Sequence, residues 1–255
     1  MTISAVVFSV QLCGIWYMGV LSLKKWNFVS FLPFYLLSAI LFIGIAGWAS
    51  RAVTVISDQM PLKREHCFVI DAGHGGIDGG ATSCTGVLES AINLEIAVRL
   101  DDLMHFLGYE TVMIRKTDTS VHTSGGSIAQ IKISDLKERV RIANGTAGAV
   151  LVSIHQNTFP ESRYSGAQVF YANSESVKLA ADVQNAFVKV LNPGSNRRSK
   201  PAAGVYLMEH INCPGILVEC GFLSNPQEEA KLRSAEYQKA IAAVIASELC
   251  RFTDS

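Results

Sequence analysis

From Met1 to Arg51 the only charged side chains are Lys24, Lys25 and Arg51, whereas the remainder of the 255-residue chain mixes charged and apolar residues throughout. That asymmetry limits the possible folds more than any other feature. Residues 3–23 and 28–49 are free of charge, and each stretch approaches the roughly 20 residues needed to cross a bilayer core. Lys24-Lys25-Trp26-Asn27 lies between them; lysine beside a span favours the cytoplasm and tryptophan the interface. Two readings stay open. In one, two helical spans are joined by a cytoplasmic turn. In the other, Met18 is the true start, Lys24 and Lys25 form a basic n-region, and 28–49 is an uncleaved signal-anchor. Both predict an anchor over 1–50, a linker over 51–65 and a domain over 66–255 held at the membrane on its outer side.

The domain carries the chemistry. Lys and Arg number 22 against 22 Asp and Glu, so there is no basic surplus to bind nucleic acid. Cys13, Cys67, Cys84, Cys213, Cys220 and Cys250 show neither CxxC nor framework spacing and read mainly as buried small hydrophobes. Strand and helix patterns alternate. An apolar run at 67–70 ends in Asp71-Ala72-Gly73-His74-Gly75-Gly76. Leu88, Ile92, Ile96, Leu100, Leu103 and Leu107 recur at helical spacing over 88–107. A strand at 111–114, a polar loop at 117–134 and a helix at 135–143 follow. Beyond them come strands at 149–154 and 167–171, a helix at 175–191, strands at 205–208 and 216–218, and helices at 226–232 and 234–250. This alternation predicts an α/β fold, a mostly parallel twisted sheet flanked by helices. Sites in such sheets gather beyond the carboxyl ends of the strands. Asp71 with His74, His155 with Asn157, and Glu219 all occupy that kind of position.

His74, Glu89 and His155 form a candidate metal set. A catalytic zinc takes neutral imidazole and carboxylate from three protein ligands and keeps one position open. Taken singly, each has an ordinary reading: a structural histidine, or a glutamate placed for the helix dipole. Glu219 follows the apolar run Gly215-Ile-Leu-Val218. An ionised carboxylate there is costly unless paired or used, and proton transfer beside a metal is one use. A salt bridge is the other.

The words around these residues resemble the zinc-dependent N-acetylmuramoyl-L-alanine amidases of type 3, bacterial cell-wall hydrolases. They are Val69-Ile-Asp-Ala-Gly-His-Gly-Gly76, Gly86-Val-Leu-Glu89, Ser153-Ile-His-Gln-Asn157 and Leu217-Val-Glu-Cys-Gly-Phe-Leu-Ser-Asn225, in order over 67–250. Arg115-Lys-Thr-Asp118 and 136–144 with Arg139 agree as well. Ser90, Ile92 and Gln156 depart from the usual pattern beside the ligands. The resemblance implies a six-stranded sheet, one zinc per chain on His74, Glu89 and His155, and Glu219 as catalytic glutamate. It implies cleavage of the amide between N-acetylmuramic acid and L-alanine in peptidoglycan. Within the family the chain is most similar to the germination-specific, spore-cortex branch. Asn157 and Arg115 are candidate substrate contacts, Arg115 toward a peptide carboxylate, and Asp71 a candidate partner of a ligand histidine. Peptidoglycan and the membrane are the expected partners, with an activating protein as a further one. A non-catalytic anchored scaffold and a zinc exopeptidase are the rival readings.

Overall fold

The computed structural model describes residues 5–12, 15–22, 33, 37–40, 42–43 and 66–253, and the chain divides after Leu62 into two compact units. In the first, β1 (Ala5–Leu12) and β2 (Ile15–Ser22) pair antiparallel, with Leu12 opposite Ile15. This corrects the expectation of a helical span over 3–23. Short apolar runs rich in β-branched and aromatic residues, here Val6, Val7, Phe8, Val10, Trp16 and Tyr17, suit a strand as well as a helix. Most of 28–49 lies outside the described residues, among which no helix is long and apolar enough to cross a membrane.

The second unit runs β3 (Cys67–Ala72), α1 (Glu89–Phe106), β4 (Glu110–Met113), α2 (Ile128–Gly145), β5 (Ala149–Asn157), β6 (Gln168–Tyr171), α3 (Val177–Val190), β7 (Lys200–Pro201), α4 (Tyr206–His210), β8 (Gly215–Phe222), α5 (Pro226–Leu232) and α6 (Ala235–Thr253). Its six strands lie in the order β4-β3-β5-β8-β6-β7. All neighbours are parallel except β6 against β8. The α/β sheet is therefore mostly parallel, as expected.

Two expectations need correction. Helix α2 starts at Ile128, inside the supposed loop 117–134. Its cap is a capping box: the Ser127 hydroxyl accepts from the Gln130 N–H while the Gln130 side chain accepts from the Ser127 N–H. The helix buries only Arg139 and Ala143, so it carries no apolar stripe to announce it. Residues 206–210 form the short helix α4 instead of a strand, and the edge strand is the unexpected pair Lys200–Pro201.

Side chains alternate across a strand, and this alternation separates core from site. Phe68, Ile70 and Ala72 on β3, Val150, Val152 and Ile154 on β5, and Ile216, Val218 and Cys220 on β8 share one core with α1, α3 and α6. The opposite face opens with Val69, Leu151 and Leu217. Along the same strands it turns polar toward the carboxyl ends, at Asp71, Ser153, His155 and Glu219.

Candidate metal centre and active site

The three candidate ligands come from three elements and meet at that rim. His74 lies just past β3, Glu89 opens α1, and His155 sits near the end of β5. One ligand atom from each falls within 4.8 Å of the other two. His74 Nε2 is 3.3 Å from Glu89 Oε2, and His155 Nδ1 is 3.0 Å from Glu89 Oε1. The two imidazoles meet edge to face with centroids 5.0 Å apart.

The backbone is shaped to permit this. His74 is the only non-glycine residue with positive φ among those described, at 62°, a left-handed conformation that stores local strain. A Cβ on Gly73 would come within 2.2 Å of the His155 ring, so glycine lets the ring lie against the turn. Glu89 is 4% exposed. Its carboxylate accepts from the Ala81 N–H at 2.9 Å, the Gln156 N–H at 3.1 Å and Asn93 Nδ2 at 3.2 Å. Burial opposes its charge, but the bonds to His155 and His74 outweigh burial and hold its pKa far below the carboxylate range. Burial also disfavours a charged His74, yet Glu89 and Asp78 lift its pKa to about 9.

Glu219 is opposite His155 in the β5–β8 register and so projects from the same face. It lines a cavity of about 300 Å³ together with His74, His155, Asp71, Ser153, Arg139, Lys132 and Leu207. Its Oε2 is buried with no hydrogen-bond partner. Burial pushes its pKa up to about 7, with the neighbouring Glu89 raising it and the two histidines lowering it. It forms no salt bridge among the described residues, which removes the ordinary alternative. A carboxyl group near neutrality beside three convergent side chains that could hold a metal is equipped to move a proton.

The supporting residues turn out differently from the expectations. Asp71 is buried and bonded to Arg139, and it accepts the Ser153 hydroxyl at 2.6 Å. Arg139 also donates to Asp135 at 2.6 Å, to the Ala72 carbonyl at 3.0 Å and to the His74 carbonyl at 2.7 Å. Asp71 thus supports the His74 turn through Arg139, not through an imidazole. Arg115 corrects its expectation outright. It is 3% exposed, and its guanidinium donates to the carbonyls of Ala72, Gly73, Ser90 and Thr117. It fastens the ligand turn to α1, and its buried guanidinium is spent on backbone carbonyls instead of facing a peptide carboxylate. Asn157 lies at the end of β5, where its carbonyl accepts from the Leu223 N–H at 2.8 Å, outside the cavity lining. The roles of Asn93 and Gln156 were not expected from the sequence. Gln156 Nε2 donates to Asn93 Oδ1 at 3.1 Å, and both residues hold Glu89. Gln156, noted only as a departure, was the available signal.

The model of the N-acetylmuramoyl-L-alanine amidase family matches residues 68–251. The germination-specific N-acetylmuramoyl-L-alanine amidase of Bacillus subtilis (strain 168) is 36% identical over 197 residues, covering 76% of this chain and 82% of that protein. The CwlD amidase from Clostridioides difficile, solved in complex with the GerS lipoprotein, superposes with a TM-score of 0.71 at 34% identity, covering 74% of this chain and 98% of that one. An N-acetylmuramoyl-L-alanine amidase from Clostridium difficile 630 gives a TM-score of 0.65 at 31% identity, covering 76% and 99%.

Proposed function

The chain belongs to the N-acetylmuramoyl-L-alanine amidase family, and on that premise we propose that His74, Glu89 and His155 hold one catalytic zinc while Glu219 moves the proton in hydrolysis. The reaction of the family is cleavage of the amide between N-acetylmuramic acid and L-alanine in peptidoglycan. Two imidazoles and a carboxylate fit zinc, a metal that accepts nitrogen and oxygen donors. When bound, it supplies Lewis acidity toward a water and the scissile carbonyl.

The chain's own groups supply the rest. Glu219 takes a proton from the attacking water as the oxygen–carbon bond forms. It returns a proton to the alanine nitrogen as the carbon–nitrogen bond breaks. Its unpartnered, buried Oε2 at the edge of the three-donor cluster is the observation that carries this reading. Glu89 stays ionised as a ligand, and Arg139, Arg115 and Gly73 keep the ligand turn in place. Asn157, at the same strand end as His155, remains the candidate contact to substrate. The germination-specific relative supports a role in spore cortex, and the lipoprotein in the CwlD complex supports a protein partner. Membrane anchoring rests on the charge-free stretch 28–49.

Glu219→Gln is expected to keep one zinc per chain while turnover falls about 10²–10⁴-fold. His74→Ala or His155→Ala loses metal and activity together. Mass spectrometry of muropeptides after digestion reads the bond cut, and elemental analysis reads the zinc. Near-full release of stem peptides by Glu219→Gln removes the proposed role.

A further inference from the structure

Resting on the zinc reading, we propose that Asp78 is the positioning residue of the metal centre: it takes the Nδ1–H of His74, so that His74 offers Nε2 to the metal. Neither the ligand words nor the cavity's catalytic logic calls for this residue, and its role follows from three contacts. Asp78 Oδ2 lies 2.8 Å from His74 Nδ1. The other ring nitrogen, Nε2, faces Glu89 Oε2 at 3.3 Å. One nitrogen is therefore committed to a carboxylate outside the cluster and the other to the carboxylate inside it. A neutral imidazole has one N–H and one lone pair. Both carboxylates only accept, so the two contacts alone do not choose between the nitrogens; a metal at the cluster would take the lone pair of Nε2, which leaves the N–H on Nδ1 facing Asp78. That is the tautomer a metal at the cluster requires, and an anionic acceptor also makes the coordinating nitrogen more basic.

Asp78 is itself held. Its Oδ1 accepts from Lys132 Nζ of α2 at 2.8 Å and from the Gly80 N–H at 3.4 Å. The N–H and C=O of Gly75 and Asp78 close a bridge across the turn, at 2.7 and 3.2 Å. The turn thus brings Asp78 back over His74. His155 has no equivalent among the described residues: its Nδ1 is turned to Glu89 and the rest of its ring lies against Gly73. The two ligand histidines are fixed by different means, one by an acid and one by the absence of a side chain.

The test measures zinc dissociation constants of the full chain by competition with a chromogenic chelator, alongside melting temperatures and long-range ¹H–¹⁵N spectra of the histidines. Wild type binding one zinc upholds the reading beneath the proposal, and wild type binding none overturns both. Asp78→Ala is expected to weaken zinc by about 10–100-fold and to lose the Nδ1–H signature of His74. Asp78→Asn keeps an acceptor oxygen, so its affinity falls between the two and its His74 tautomer is retained. Lys132→Met removes a half-exposed ion pair and shifts zinc affinity by no more than about fivefold. A structural role alone would lower melting temperature without moving the imidazole signals. Asp78→Ala, or Asp78→Asn should alanine not fold, with wild-type zinc affinity and unchanged His74 signals overturns the assignment.

Discussion

Gly73→Ala tests whether the metal centre depends on close approach of backbone and ring. An added Cβ would stand 2.2 Å from both Cε1 and Nε2 of His155, where ordinary contact begins at 3.4 Å, so one side must yield by about 1.2 Å. The backbone is pinned: the Gly73 N–H donates to Ile154 at 3.0 Å, and its carbonyl accepts from Asn93 and Arg115 at 3.1 and 3.0 Å. The ring is the freer partner, with its side chain 20% exposed, and it swings outward. Metal–ligand distances hold to within about 0.2 Å, several times less than this displacement, so His155 is lost as a ligand. Overpacking of this kind costs about 1–3 kcal/mol, which a domain of this size survives. The expected result is a folded protein whose zinc affinity, by chelator competition, drops by more than the roughly 10–100-fold of losing an outer partner. A folded Gly73→Ala that binds zinc like wild type would refute the argument.

Two other perturbations have signs set by the same geometry. Arg139→Met leaves Asp71 buried and uncompensated, a loss of about 3–5 kcal/mol readable as a lower urea midpoint. Adding Asp71→Asn to it recovers part of the loss, and a double variant less stable than the single would contradict the pairing. For Glu219, burial raises the folded pKa to about 7 from an ordinary 4.5, so the folded state holds its proton more tightly than the unfolded chain. The contribution of Glu219 to the stability of chelator-treated protein is therefore full below about pH 4.5 and is lost as pH rises toward 7, by up to about 3 kcal/mol. Glu219→Gln cannot ionise, so it melts above wild type at pH 8 and shows no such advantage at pH 4. Parallel melting curves at both pH values would rule out the burial argument.

The sheet was legible because its strands are buried on both faces. Such strands read as apolar runs, and at 67–70, 149–154 and 216–218 the sequence is nearly free of polar residues until the rim. Helix α1 was legible because Ile92, Ile96, Leu100 and Met104 all face the core. Helix α2 was legible only over 135–143; its first two turns were not, since they are mostly solvated and the start depends on two polar side chains, Ser127 and Gln130, capping one another. The amino-terminal hairpin failed for the opposite reason. A stretch apolar at every position has no period, so strand and helix cannot be told apart by pattern.

The site divides along the same line between local and distant information. The convergence of His74, Glu89, His155 and Glu219 was legible because each sits where a local pattern ends, at a strand terminus or a helix start, and the sheet then assembles those ends at one rim. Arg115 was misread because an arginine beside a strand end is equally consistent with a free cation and with a buried clamp. Only its partners decide, and Ala72, Gly73 and Ser90 lie 43, 42 and 25 residues away in sequence. Asn93 and Gln156 were hidden in the same way, meeting across 63 residues to hold one carboxylate. Asp78 differs, being only four residues from His74. It meets His74 in a turn where His74 takes a positive φ, a state uncommon for any residue but glycine and one that the glycines around it obscured. The candidate metal donors are thus written locally, while the polar frame that aims them is written across the whole domain.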